Sequence, residues 1–227
     1  METEAGLSPA SLSWLEVWRL ALLRPTAKTF QRISGDPKAN IKWGLFWAAV
    51  ASLILWFFGP QRAVWSGVVI NNFGFQAADY FLWLGAVAAS IISAFGLLVD
   101  AAILHALARL FGGAGAYPRL VYCWGVILPP FVLLSVLVGR FPSLFPSSRE
   151  FIFSPAYRVI LGASLLLFII VYLYLFYVQV VALSAVERMG FWKGFGVLLL
   201  LAVLAAILGA CLSNILPGLL MDFARNL

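Results

Sequence analysis

Three ionisable residues lie in or beside long apolar stretches of the chain and are the first candidates for chemistry: Asp100, His105 and Glu187. Carboxylates and imidazoles are the usual general acids and bases of enzymes. The chain carries no Gly-x-Ser-x-Gly, His-Glu-x-x-His or Cys-x-x-Cys motif, and its single histidine has no partner at metal-ligand spacing. We therefore expect neither an enzyme nor a metal site, and no cofactor.

Polar residues in apolar helices can also line a groove for a polar solute. Tyr172 and Gln179 are seven residues apart and share a helical face, so with Asp100 they form a candidate polar groove. The depth of Asp100 decides its role. At the membrane interface it is a solvated residue, whereas deeper in the bilayer it needs a partner, for which the candidates are Arg119, Tyr122 and Arg188.

Five charge-free stretches must position these residues: 43–61, 80–99, 120–139, 159–186 and 194–221. A helix of roughly 20 residues crosses the hydrocarbon core, and the chain is 63% hydrophobic and 11% charged. We predict an all-α polytopic membrane bundle of five transmembrane helices preceded by short amphipathic interfacial helices. The membrane domain is residues 41–227, with spans at about 41–59, 80–104, 118–139, 158–185 and 193–217.

Residues 1–40 form the predicted N-terminal segment. Ser13 and Glu16 have the spacing of a capping box at a helix start, and Pro25 separates a second short helix from the first. A basic residue recurs every fourth position across this second part, which predicts one basic face. This face either binds anionic inner-leaflet lipids or is a solvated face that only sets the topology. These membrane-surface residues are Arg24, Lys28 and Arg32.

A stripe of small residues in the second span predicts close helix packing. Gly85, Ala89, Ser93 and Gly96 are spaced three or four residues apart, which places them on one helical face. We expect Gly96→Leu to destabilise the bundle.

Short loops beside the spans carry the candidate partner-binding residues. Gly112 is placed to end the second span, and the glycine-rich loop after it carries no phosphate-binding lysine motif. The loop between the fourth and fifth spans is also short. The candidate residues are His105, Arg109, Gly112, Gly113, Tyr117, Arg119, Glu187 and Arg188.

The distribution of the basic residues predicts the topology. Ten Lys and Arg residues lie on the side of the N-terminus and five on the other side of the five spans. The positive-inside rule then places the N-terminus in the cytoplasm and the C-terminus outside. Because this distribution accounts for the net charge of +6, we expect no nucleic-acid partner.

Three local motifs resemble the Yip (Ypt-interacting protein) family. They are LRPTAKTF at 23–30, LHALARLFGG at 104–113 with Tyr117 following, and Pro129-Pro130. The resemblance implies five spans, and in eukaryotes an association with Golgi and endoplasmic reticulum membranes, Rab-type small GTPases and vesicle traffic. Only about forty residues precede the first span here, so small-GTPase binding is not carried over. The compact form looks more like prokaryotic members, for which the membrane would be the inner membrane of the cell.

The function predicted from these observations is that of a scaffold or organiser of membrane traffic and membrane proteins without catalytic chemistry. Its expected partners are the lipid bilayer, other membrane proteins, or a second copy in a dimer. The alternative is a permease or lipid-translocating protein that uses the groove around Asp100, Tyr172 and Gln179.

Overall fold

The computed structural model describes residues 11–59, 75–140 and 155–225. Within those ranges the chain forms seven α-helices and no β-strand. The helices are α1 (Trp14–Leu23), α2 (Ala27–Ser34), α3 (Ile41–Phe58), α4 (Phe75–Leu110), α5 (Tyr117–Arg140), α6 (Pro155–Val186) and α7 (Phe191–Arg225). Residues 1–10 of the predicted N-terminal segment lie outside the described part of the chain.

The five helices α3 to α7 are each long and apolar enough to cross a membrane. Many of their leucine, isoleucine and phenylalanine side chains are exposed in the isolated chain. Such a surface suits lipid tails, which are as apolar as these side chains. The predicted all-α bundle with five membrane-crossing helices is confirmed.

Helix α5 is the centre of the bundle. Buried residues make up 56% of its apolar window, against 11–22% in the other four spans. It packs against α3, α4 and α6. Pro129 and Pro130 are both buried within it, and the helix continues past them to Arg140.

Helices α3 and α5 cross closely through two glycines. A Cβ atom added to Gly125 would lie 2.2 Å from the carbonyl oxygen of Gly44. A Cβ added to Gly44 would lie 2.6 Å from the carbonyl oxygen of Val121. The two backbones therefore touch, which only residues without a side chain allow.

The small-residue stripe of α4 makes contact at one end only. A Cβ added to Gly85 would lie 2.4 Å from the ring of Trp56 on α3, whose indole N–H donates to the Leu82 carbonyl at 2.9 Å. A Cβ added to Gly96 would meet no atom within 4 Å among the described residues. Within the described residues, the prediction that Gly96 sits in a packing seam is therefore wrong. A small residue on a helix face permits a close neighbour but does not supply one.

The two short helices begin where the sequence predicts. Ser13 caps α1 by accepting a hydrogen bond from the Glu16 backbone N–H at 3.2 Å, and Thr26 caps α2. Pro25 lies between the helices, and Arg24 is the C-cap of α1. Arg24 therefore does not share a helix with the other two basic residues of the predicted stripe.

Helices α1 and α2 are docked onto the membrane helices through apolar side chains. Phe30 and Ile33 of α2 are fully buried, and α2 packs against α5 and α6. On α1, the ring of Trp18 lies 5.3 Å from that of Trp47 in α3. The Tyr174 hydroxyl of α6 donates to the Leu22 carbonyl. The short helices are thus part of the folded bundle.

Candidate functional site

Two short links lie side by side at the end of the bundle that carries α1 and α2, here called the α1–α2 end. The first link, 111–116, joins α4 to α5, and the second link, 187–190, joins α6 to α7. Links this short make the helices on either side antiparallel neighbours. Most of the candidate partner-binding residues lie in or beside the two links.

A buried carboxylate connects the links. Glu187 has a relative exposure of 0%, and its Oε1 lies 2.7 Å from Nδ1 of His105 at the end of α4. Its Oε2 accepts the Gly115 N–H at 3.1 Å, and its carbonyl oxygen accepts the Ala114 N–H at 2.8 Å. These four residues are the Glu187 cluster. A carboxylate oxygen accepts a hydrogen bond from this ring in the tautomer whose Nδ1 carries the proton.

Glycines shape the first link around the carboxylate. Gly112 has a φ of +86°, and the Gly113 N–H donates to the Ala108 carbonyl at 2.8 Å, which is the Schellman ending of a helix. A Cβ added to Gly115 would lie 2.4 Å from the Val186 carbonyl oxygen and 2.7 Å from Oε2 of Glu187. The first link can approach the second because Gly115 has no side chain.

Helix α6 ends in the second link with the same hydrogen-bond pattern, but its left-handed residue is not a glycine. Arg188 has a φ of +56°, and the Met189 N–H donates to the Ser184 carbonyl at 2.9 Å. Arginine is uncommon in this left-handed region, where glycine is the usual residue. The second link therefore holds Arg188 in a backbone conformation that is locally unfavourable.

Further polar contacts fix the ends of the neighbouring helices. The Arg109 guanidinium donates to the Gly113 carbonyl at 3.3 Å, and the Lys193 ammonium donates to the Phe111 carbonyl at 3.2 Å. Cations are favoured at these helix C-terminal carbonyls. The Tyr117 hydroxyl donates to the Leu98 carbonyl at 3.0 Å, and the Tyr117 ring lies 5.9 Å from that of His105.

Removing the hydroxyl of Tyr117 tests one of these contacts. Tyr117→Phe keeps the ring beside His105 and removes the donor to Leu98, so we expect a loss of about 1 kcal/mol in the free energy of unfolding. Denaturant unfolding in detergent measures it. Tyr80→Phe, at an 81% exposed position of α4, is the matched control and should leave stability unchanged. Equal stability of Tyr117→Phe and wild type would contradict the contact.

The remaining candidates in this region, Arg119 and Arg188, line a cavity of about 860 Å³ at the α1–α2 end. Both side chains are exposed, and neither has a hydrogen-bond or ion-pair partner within the described residues. The structure thus brings together His105, Glu187 and the first link, and places the two arginines beside them.

No contact among the described residues brings the three residues of the candidate polar groove together. Asp100 is exposed on α4, whose extensive contacts are with α3, α5 and α7. On α6, Tyr172 is 44% exposed, with its ring near those of Phe131 and Phe168, and Gln179 is partly buried. None of the three groove residues lines the 860 Å³ cavity. The groove remains a prediction.

The basic residues proposed for membrane binding are all exposed. They are Arg24, Lys28 and Arg32. The Arg32 guanidinium pairs with Glu16 at 3.1 Å, which joins α2 to α1. An exposed pair of this kind contributes about 0–1 kcal/mol. Binding of these residues to anionic lipid remains a prediction.

The pairing of His105 with Glu187 is the feature that sequence reasoning missed. Each was identified as a candidate, but their separation of 82 residues hides the contact. The available signal was that both lie at the predicted cytoplasmic ends of their spans, the second and the fourth, each beside a short link. These ends meet because α5 packs against both α4 and α6.

The chemistry of the Glu187 cluster is structural. Both carboxylate oxygens are occupied by donors of the chain, and the side chain is closed to solvent. Among the residues that the structure describes, no three His, Cys, Asp or Glu side chains are grouped to hold a metal ion. A buried carboxylate that accepts hydrogen bonds from separate parts of the chain stabilises the fold.

Fold and site together define an integral multi-pass membrane protein whose two short links are joined by a buried carboxylate. The comparisons with known proteins give the family: the Yip1 domain matches residues 20–213, so the chain belongs to the Yip1 domain family. The resemblance of the local motifs to the Yip family is thereby confirmed. No curated protein and no solved structure matches the chain.

Proposed function

We propose that the protein is a non-catalytic organiser of membrane proteins, whose α1–α2 end forms a docking face in the cytoplasm. The Glu187 cluster carries this proposal. A carboxylate with 0% exposure joins links that are 72 residues apart in sequence, through Gly115, and thereby holds both in one arrangement. Partner binding needs a surface whose shape is fixed in advance, since ordering a loop on binding costs affinity.

The charge distribution supports a cytoplasmic position for this face. Ten of the fifteen Lys and Arg residues belong to the α1–α2 side of the predicted topology. The N-terminus is then cytoplasmic and the C-terminus lies outside. In this orientation the exposed Arg24 and Lys28 stand beside anionic lipids of the inner leaflet.

Family membership supports a role in organising membrane traffic or membrane proteins. The partners we propose are other integral membrane proteins or a second copy of the chain. The translocation alternative has less support, because the contacts recorded for Asp100, Tyr172 and Gln179 do not bring them into one groove.

Photo-crosslinking in native membranes tests the docking face. A photoreactive residue is placed at Ala116 or Gly190, which are exposed in the two links, and at Ile92 or Leu166, which are exposed on the membrane spans. We expect discrete protein adducts from the link positions, reduced when Glu187→Ala is added. The same adducts from the span positions would contradict a specific face.

A second measurement separates organisation from translocation. The purified protein and Asp100→Asn are reconstituted in liposomes, and lipid scrambling and small-solute leak are assayed. We expect neither preparation to differ from empty liposomes. Lipid scrambling or solute leak that the wild type shows and Asp100→Asn lacks would contradict the organiser and support a translocating protein.

A further inference from the structure

The 860 Å³ cavity at the α1–α2 end is walled by four parts of the chain. Its lining comes from one side of α2 with the two residues before it, the first turn of α5, the end of α6, and the second link with the first residue of α7. Gln31 and Ser34 contribute polar groups, while Val181 and Phe191 contribute apolar surface. A cavity of this size accommodates a small organic molecule.

The charge lining the cavity is of one sign. Arg119 and Arg188 are the charged residues among its lining, and no carboxylate belongs to it. Neither guanidinium has an ionic or hydrogen-bond partner within the described ranges. The neighbouring acid, Glu187, is occupied by His105 and Gly115 and does not line the cavity. Two like charges without counter-ions attract an anion to the space between them.

Both arginines occupy positions where the local backbone favours another residue. Arg188 has a φ of +56°, at the helix ending where glycine is usual. Arg119 lies in the first turn of α5, where the helix dipole disfavours a cation. Strained or locally unfavourable positions concentrate where a side chain has a role beyond the fold.

We propose that this cavity binds a phosphate group between the guanidinium groups of Arg119 and Arg188, with the organic part of the ligand against Val181 and Phe191. Arginine forks bind phosphate oxygens in pairs of charge-assisted hydrogen bonds. The phosphate is supplied either by the headgroup of an anionic lipid or by a soluble phosphate ester. The apolar part of the lining suits the glycerol and first chain carbons of a lipid.

The test is a binding titration of the full chain in nonionic detergent. Dioctanoyl phosphatidate is the lipid probe, dioctanoylglycerol is the probe without phosphate, and glycerol 3-phosphate is the soluble phosphate ester. The variants are Arg119→Gln and Arg188→Gly. Arg188→Gly removes the guanidinium while supplying the residue best suited to a φ of +56°, so its fold is retained. Lys42→Gln is the control, since Lys42 is an exposed cation at the same end that does not line the cavity.

We expect phosphatidate to bind wild type, and each arginine variant to weaken binding about tenfold or more, the effect of losing a charge-assisted hydrogen bond. Lys42→Gln should bind within about twofold of wild type, because Lys42 does not line the cavity. Arginine-dependent binding of glycerol 3-phosphate as strong as that of phosphatidate would assign the site to soluble phosphates. The proposal would be overturned if dioctanoylglycerol bound as tightly as phosphatidate. It would also be overturned if both arginine variants bound phosphatidate as tightly as wild type.

Discussion

Gly125→Ala is expected to destabilise the bundle more than any other single methyl group added to a described glycine of its membrane spans. The new Cβ would lie 2.2 Å from the Gly44 carbonyl oxygen and 2.8 Å from the Gly44 Cα. Both are backbone atoms, which cannot move aside by changing a rotamer. The α3–α5 crossing must therefore widen, and overpacking costs about 1–3 kcal/mol, occasionally more.

Gly96→Ala is the matched control for Gly125→Ala. Both glycines lie inside membrane helices, so alanine raises the helix propensity of each by the same amount, about 1 kcal/mol. A Cβ at Gly96 meets no described atom within 4 Å. We expect the unfolding temperature of Gly96→Ala in detergent to equal or exceed that of wild type. Equal unfolding temperatures of Gly96→Ala and Gly125→Ala would show that α3 and α5 do not touch through their glycines.

Glu187→Ala is expected to loosen both links at once. The substitution leaves Nδ1 of His105 and the Gly115 N–H without their acceptor inside the fold. Leaving a buried hydrogen-bonding group without its partner costs about 1–3 kcal/mol for each group. Denaturant unfolding measures the loss. Hydrogen exchange at the Gly115 amide should become faster as well.

Two comparisons isolate the role of the buried carboxylate. Glu16→Ala removes the other paired carboxylate, whose partner Arg32 is exposed, and should cost no more than about 1 kcal/mol. In a double-mutant cycle with His105→Ala, the two effects should be non-additive by about 0.5–3 kcal/mol. Additive effects would mean that His105 and Glu187 do not interact in the membrane-embedded protein.

The membrane helices were predictable from the sequence because their signal is one of length and composition. An apolar run of bilayer length forms a helix because its backbone groups must bond to one another where no water is present. The caps Ser13 and Thr26 and the helix ending at Gly112 follow from local chemistry in the same way.

Contacts between helices were much less predictable. Gly85 and Gly96 belong to one stripe and look alike in sequence, yet only Gly85 has a close neighbour, Trp56. The partner of Glu187 depends on which span ends meet, and that is set by packing. Small and polar residues indicate where a contact is permitted, whereas the helix arrangement decides where it forms.

The docking of α1 and α2 has a consequence for the order in which the protein is made. Tyr174, whose hydroxyl donates a hydrogen bond to the Leu22 carbonyl, is synthesised 152 residues after Leu22. At typical rates of synthesis this delay is of the order of 10 s. For most of that interval α2 has been synthesised, whereas α6, one of the two membrane helices against which it packs, has not. Helices α1 and α2 therefore complete their docking only after the fourth span has been made.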